Sequence, residues 1–458
     1  MLSRFFSKFW KSTEGSVLAY TAMFGAIAIG GGALAVDIGQ IILLKSEMQH
    51  RADAGALAGA RQLDGRDGAQ ARALAVATNA MLDRSGVTGG SALPVYSVDF
   101  LSELNPDVAA TDDIDAKFLR VTLNTQQVNF LLAPVLGAFT GTTQDSTLVD
   151  AFATAGSNIR ICEAPPLMIC DFGETNASDA LALPANYGRQ VRLKEPNNSS
   201  SSWAPGNFGL LALPDGSVGA NDIEEQLAAV DPLECYDVDV ETATGSKTQK
   251  VKDGINSRFD MPGNPWPYPA PNVIAYPRDD DLIADPDAKL GSGVWDIDTY
   301  WNDKHLGAAT PGDLTDASRY QTYLYEQGAV YLKDGKKTLY PDPGGTPPGS
   351  YVRVTPPGVD IPVAVDPLNE DDPNFDGVPS ETIASNGDQR RVMKIAQLQC
   401  IADNVHGHGS YPTHGNFIEV FVTEPVSDPP EAAIYGEVIR ALTVTNSLEY
   451  YANVGLLE

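Results

Sequence analysis

The sequence predicts an α+β chain. One long N-terminal transmembrane helix continues onto a small antiparallel sheet, and a large β-rich, loop-rich body follows. Three observations predict it. Residues Ser16 to Val36 carry no charge, and a helix of that length spans about 31 Å, the thickness of a hydrocarbon core. Helix-forming sequence then runs on, without proline, to Leu63. From about Ser157 the composition turns to Pro, Gly, Asp, Asn and aromatics, and the chain's 42 Gly and 32 Pro suit turns between short strands, not a helical bundle. The balance of 31 basic against 60 acidic side chains, a formal charge of −29 over 458 residues, argues against a nucleic-acid partner. A mean hydropathy of −0.16 with a single spanning run excludes a polytopic membrane protein. The predicted boundaries are 1–15, a basic segment; 16–36, the transmembrane helix; 37–156, helix plus small antiparallel sheet; and 157–458, an exported β-rich domain.

The first segment carries Arg4, Lys8 and Lys11 against Glu14 alone. Positive charge before a span keeps that end in the cytoplasm, so everything after Asp37 would be exported. Two other readings compete. Ala33-Leu34-Ala35 before Val36-Asp37 fits a signal-peptide cleavage site, and an apolar run can also be a buried core helix. The length of the run and its continuation into more helix favour an anchor over a signal peptide. The basic-then-apolar polarity counts against the core helix. Gly30-Gly31-Gly32 predicts a weak point or kink. Small residues fall at helical spacing: Ala26 with Gly30, Ala28 with Gly32 and Ala35 with Gly39 in the span, then Ala52, Ala56 and Ala60 in one row and Gly55 and Gly59 in another. Such rows let another backbone approach closely. In the span the expected neighbours are partner helices; beyond it, the chain's own sheet.

Asp64-Gly65 and Asp67-Gly68 predict a turn, and Ala69 to Leu82 a second helix with Leu74, Ala77 and Met81 on one stripe. Val95 to Leu101 reads as a strand. Phe118 to Asn124 alternates, with Leu119, Val121 and Leu123 on one face. Phe130 to Gly137 reads as a short helix or turn. Thr147 to Thr154 reads as a strand with Val149, Ala151 and Ala153 on one face, leaving room for a helix against the sheet. A long helix lying half on such a sheet is a pilin-like architecture.

The order of these features carries a family resemblance. Glu14-Gly15-Ser16 opens the span and Ala35-Val36-Asp37 closes it. Then follow Met48-Gln49 and Ala52-Asp53-Ala54-Gly55-Ala56-Leu57-Ala58-Gly59-Ala60. Over about the first 60 residues the chain resembles TadE/TadG-like proteins of the bacterial tight-adherence (Flp) pilus assembly system. Ala164 to Cys170, Trp203 to Gly209 and Asn256 to Asp260 are similar to stretches of long TadG-like proteins. The resemblance implies a bacterial inner-membrane protein, single-pass, with its bulk in the periplasm and with other pilus-assembly or pilin-like proteins as partners. Two features depart from it. A prepilin peptidase site would place Glu five residues after Gly15, where this chain has Tyr20. Asp316-Ala317-Ser318-Arg319-Tyr320 lacks the second Ser of a von Willebrand A metal site, so that site is not carried over.

In the body, Asn221 or Asp222 is placed to cap a short helix, Ile223 to Val230. Phe417 to Val422 and Ile434 to Val444 read as strands. Cys162, Cys170, Cys235 and Cys400 are an even set, and export favours two disulfides with three possible connectivities. One of these pairs Cys162 with Cys170 around Pro165-Pro166, and Cys235 with Cys400. His406, His408 and His414 could hold a transition metal, but the glycines and Pro412 around them favour a polar loop. Asp372, Asn374 and Asp376, in Asp372-Pro373-Asn374-Phe375-Asp376-Gly377, fit the first half of a calcium loop. Ile383 stands where the bidentate Glu belongs, so a solvated acidic turn competes. Asp279-Asp280-Asp281 reads as a solvated run. No hydrolase elbow, Walker loop or H-E-x-x-H is present, so the expectation is a non-enzymatic structural and assembly component with no cofactor, calcium aside. The alternative is an anchored, adhesin-like module that binds calcium or carbohydrate.

Overall fold

The computed structural model describes residues 15–81, 95–113, 115–131, 146–195, 205–229, 232, 235–261, 269–285, 287–327, 330–333, 336–338, 351–354, 375–377, 390–429, 431–443 and 450–457. The chain divides into two compact units, 1–158 with 452–458, and 159–451.

The first unit is built on helix α1, Gly15–Ala60. Its length follows from the absence of proline and the density of Ala, Leu and Met. Helical structure is unbroken through Gly30–Gly32. Buried residues recur along one stripe, Ala33, Asp37, Leu44, Met48, Ala52, Ala56 and Ala60, at the spacing that keeps side chains on one face. Helix α2, Ala69–Ala80, turns back along it with Ala69, Ala73 and Ala77 buried. Its N-terminus is capped from a distance. Asp113 accepts hydrogen bonds from the Gly68 and Gln70 amides at 2.7 and 2.9 Å. Those two bonds, with Arg72 nearby, hold the Asp113 carboxyl below its ordinary range.

Strands β1 (Val95–Glu103), β2 (Val108–Ala109) and β3 (Phe118–Leu123) form an antiparallel set. β3 alternates as predicted, with Leu119, Val121 and Leu123 turned inward. The expected strand Thr147 to Thr154 is two. β4 (Gln126–Asn129) and β5 (Ser146–Val149) make a hairpin, while β6 (Phe152–Cys162) pairs with β3. The break lies at Asp150-Ala151, where one strand hands over to the other. The C-terminal strand Tyr450–Leu457 pairs with β6. The sequence boundary at 156/157 therefore falls inside β6, and the last residues of the chain group with the first unit. Leu131 is the last described residue of Phe130 to Gly137; the remainder lies outside the described residues.

The second unit centres on five strands in the order β7-β15-β17-β18-β8. With the other strands of this unit, in chain order, these are β7 (Met168–Cys170), β8 (Gln190–Lys194), β9 (Asn207–Leu211), β10 (Cys235–Asp237), β11 (Asp239–Thr244), β12 (Val330–Lys333), β13 (Lys336–Thr338), β14 (Tyr351–Val354), β15 (Val392–Leu398), β16 (Ser410–Pro412), β17 (Asn416–Val422) and β18 (Ile434–Thr443). β7 runs parallel to β15; the other pairs of the central sheet are antiparallel. β17 and β18 fall where the sequence places them. The helices of this unit are α3 (Ala220–Ala228), α4 (Thr248–Asn256), α5 (Asp280–Ala284), α6 (Ile297–Lys304) and α7 (Arg319–Glu326). The predicted helix near 223 begins earlier than expected, with Gly219 at the N-cap and Asp222 inside the first turn.

Two disulfides tie this unit, in a connectivity other than the short-loop pairing. Cys162 bonds Cys235, directly opposite it where β6 and β10 pair. Cys170 bonds Cys400, at the ends of the neighbouring strands β7 and β15. Cys162 and Cys170 are close in sequence but end strands of different sheets, so each meets a partner from farther along the chain.

Candidate functional site

Three arrangements bear on function. The first is α1 itself. Tyr20, Phe24, Ile27, Leu34, Ile38 and Ile42 are exposed, each at 48% or more, whereas Met48, Ala52, Ala56 and Ala60 are fully buried. The helix over Tyr20–Ala60 is long and apolar enough to cross a membrane. Gly30 is half-buried, and the Ala26 side chain lies outside the described residues. Gly25, Gly31, Gly32 and Gly39 have no neighbour within 4 Å of an added Cβ, so the exposed half of the helix is open to close approach. In the buried half the rows meet the chain's own elements. An added Cβ at Gly59 would lie 2.6 Å from Leu119, 3.0 Å from Ala77 and 3.1 Å from the Ala73 carbonyl oxygen; at Gly55 its three nearest neighbours are all side-chain atoms of Met81, from 2.8 Å.

The second arrangement is the buried polar centre of the body. Glu326 accepts four hydrogen bonds: from Asn272 Nδ2 (2.8 Å), Tyr276 OH, Tyr300 OH (2.8 Å) and His305 Nε2 (3.0 Å). Burial, with Glu326 adjacent, pushes both tyrosines well above their usual value. Beside them Arg391 is wholly buried. It donates to the carbonyls of Val422, Asn272, Ile274 and Thr423 and packs against Phe259, Tyr276, Tyr323 and Phe421. A carboxylate that already accepts four bonds has its lone pairs filled. The Glu326 carboxylate and the Arg391 guanidinium are thus parts of a framework, held by protein groups.

The third is a cleft of about 410 Å³ in the same unit. Its floor is β18 at Glu437. Its walls are the Gly188-Arg189 turn, the Ser292–Trp295 loop and the N-terminus of α7. Gly293 brings two walls together. Its φ of +83° and the 3.2 Å separation of an added Cβ from the Gly188 carbonyl both require glycine. Glu437 accepts the first amides of α7, Arg319 N at 2.8 Å and Tyr320 N at 3.1 Å. Burial raises its carboxyl to about 7 against the opposing pull of Arg319. The folded state therefore holds a proton that the unfolded chain releases between about pH 4.5 and 7, and folding loses on the order of 3 kcal/mol as pH rises through that window. Glu437→Gln should flatten this slope. The check is the difference in denaturation midpoint between variant and parent, followed from pH 4.5 to 7.5.

Asp376 is fully buried; it pairs with Lys304 at 2.5 Å and accepts the Ala275 amide at 2.9 Å. Asp372 and Asn374 lie outside the described residues. The three histidine rings go separate ways: His406 to the Asn404 carbonyl, His408 to the Thr242 carbonyl and His414 to Asp403. Among the described residues, no group of three or more His, Cys, Asp or Glu could hold a metal. Asp279 corrects the expected solvated run. It is fully buried, paired with Arg319 at 2.5 Å, and accepts the Gly293 amide, while Asp280 and Asp281 are exposed. Asp316 and Ser318 do not make a metal site; Ser318 is the N-cap of α7, in a capping box with Gln321. Asn256 and Arg258, which had no role by sequence, are packing residues. Asn256 exchanges two hydrogen bonds with Val426, and Arg258 donates to the Leu227 carbonyl at the end of α3. No local signal marks the Glu326 centre in the sequence, because its members are spread from Asn272 to Glu326 and share no spacing.

Fold and site together define a class: a chain with one membrane-length apolar helix whose distal half packs on an antiparallel sheet, joined to a disulfide-tied α+β body. The family model Tad, described as "Putative Flp pilus-assembly TadE/G-like", matches residues 15–62, the whole of α1 and two residues beyond it. This segment ties the chain to Flp pilus assembly. No curated protein and no solved structure matches the chain.

Proposed function

We propose that the chain is a structural component of a tight-adherence pilus assembly system, acting by packing and protein contacts and not by turnover. The exposed half of α1 would anchor it in the inner membrane, with the N-terminus cytoplasmic and the body periplasmic. The observation that carries this reading is the division of one continuous helix. Most of the described apolar side chains from Tyr20 to Leu43 are exposed, over a length of about 36 Å at helical rise, with Ala33 buried and Ile41 half-buried among them, and the close-spaced buried stripe begins at Leu44, all within the Tad-matched segment. Arg4, Lys8 and Lys11 support the orientation, and two disulfides suit an oxidising compartment. The open glycines of the apolar half give neighbouring helices of other pilus-assembly or pilin-like proteins a place to pack. The calcium version of the adhesin-like alternative would have to do without Asp376, already held by Lys304.

Intact-mass measurement of the mature chain tests the anchor. The expected product retains residues 16–36. A mature start at Val36 would refute the anchor, and a start at Ser16 would replace it with pilin-type processing.

A further inference from the structure

We propose that the cleft bounded by Arg189, Trp295 and Asp316 binds a neutral saccharide. Its volume of about 410 Å³ falls in the range of small-ligand sites. Its lining sets an indole and aliphatic groups, Trp295, Ile297 and Ile439, against the polar Arg189 and Asp316. A pyranose presents the matching surface, apolar C–H faces ringed by hydroxyls that both donate and accept. Arg189 and Glu437 are engaged within the protein. Arg189 Nη1 pairs with Asp179 at 2.8 Å, and Glu437 is spent on the α7 amides and faces Arg319. Asp316 is exposed, with no ion pair among the described residues, so its carboxylate disfavours an anion and is open to accept from a sugar hydroxyl.

A peptide laid in as an added strand is disfavoured, because the backbone at the floor is occupied. The Gly188 amide donates to Val438, and the Val438 amide donates back to Arg189. Recognition must run through side chains, and these are held in place. Trp295 Nε1 donates to the Ala317 carbonyl at 2.9 Å, and its ring lies 5.2 Å from the Arg319 guanidinium. Arg189 Nε donates to the Gly291 carbonyl at 2.7 Å. A rigid aromatic wall loses little entropy on binding.

The test is titration calorimetry of the full chain in a detergent without sugar headgroups, with cellotetraose and chitotetraose as probes and tetra-alanine as control. The expected result is binding of at least one saccharide with Kd of about 1 mM or tighter, and none of the peptide. Val294→Arg fills the mouth from a side chain that is 75% exposed, so the fold is kept. It should weaken binding about tenfold or more at unchanged melting temperature. Trp295→Ala should abolish binding, but it also removes core contacts, so Val294→Arg is the deciding variant. Absence of heat with both saccharides at about 10 mM, binding indifferent to Val294→Arg, or binding of the peptide instead would each overturn the proposal. No membrane or pilus enters the measurement, so its outcome is separate from that of the anchor.

Discussion

Replacing Gly59 by Leu is expected to detach α1 from its sheet, at a cost of about 3 kcal/mol or more. Two effects oppose each other. Leucine has the better helix propensity, worth about 1 kcal/mol over glycine. Against it, the first added carbon already lies 2.6 Å from Leu119 and 3.1 Å from the Ala73 carbonyl oxygen. The backbone of α2 cannot yield by rotating a side chain, so the clash wins. Gly55→Leu is the internal control. The three atoms nearest its added carbon all belong to the flexible Met81 side chain, a residue able to repack, and the propensity gain offsets part of the cost. Hydrogen exchange on β3 and α2 in the full chain should show loss of protection for Gly59→Leu and much less for Gly55→Leu. Equal protection in both variants would remove the close-packing argument. Pilus formation should fail with Gly59→Leu under the proposed function.

Removing the Cys170–Cys400 disulfide should be the most damaging change in the body. The bond closes a loop of sequence separation 230, against 73 for Cys162–Cys235. Chain-entropy arithmetic assigns about 5 kcal/mol to the longer loop and about 4 kcal/mol to the shorter. Either is a large share of a typical domain's stability of about 5–15 kcal/mol. The double variant Cys170→Ser, Cys400→Ser is expected to expose the body to protease at 37 °C, with the midpoint in denaturant falling more than for the Cys162, Cys235 pair. Peptide mapping without reduction should recover 162–235 and 170–400. Recovery of a 162–170 peptide would reinstate the short-loop pairing.

The elements that read correctly are those whose signal is local. Leu119, Val121 and Leu123 alternate within one strand. Ala52, Ala56 and Ala60 recur at helical spacing. The Ser16–Val36 run lacks charge. The misreadings share a cause in distance along the chain. Asp279 looked solvated beside Asp280 and Asp281 because its partner, Arg319, is 40 residues away. The pairing of Asp376 with Lys304, 72 residues earlier, has no local signal for the same reason. The strand near 150 looked continuous because its alternation survives the step from β5 to β6.

By itself, then, the sequence determined the anchor-length helix, its polarity, the small-residue rows, and the likeness to TadE/G proteins that the Tad match over 15–62 carries. Each depends on residue type and near-neighbour spacing, which periodicity reports directly. Tertiary structure alone decided which cysteines meet, that Glu326 and Arg391 form a closed polar centre, and that Arg189, Trp295 and Asp316 line one cleft. Those are contacts between residues far apart in the chain. Their free energy comes from burial and satisfied polar groups that exist only once the strands have paired.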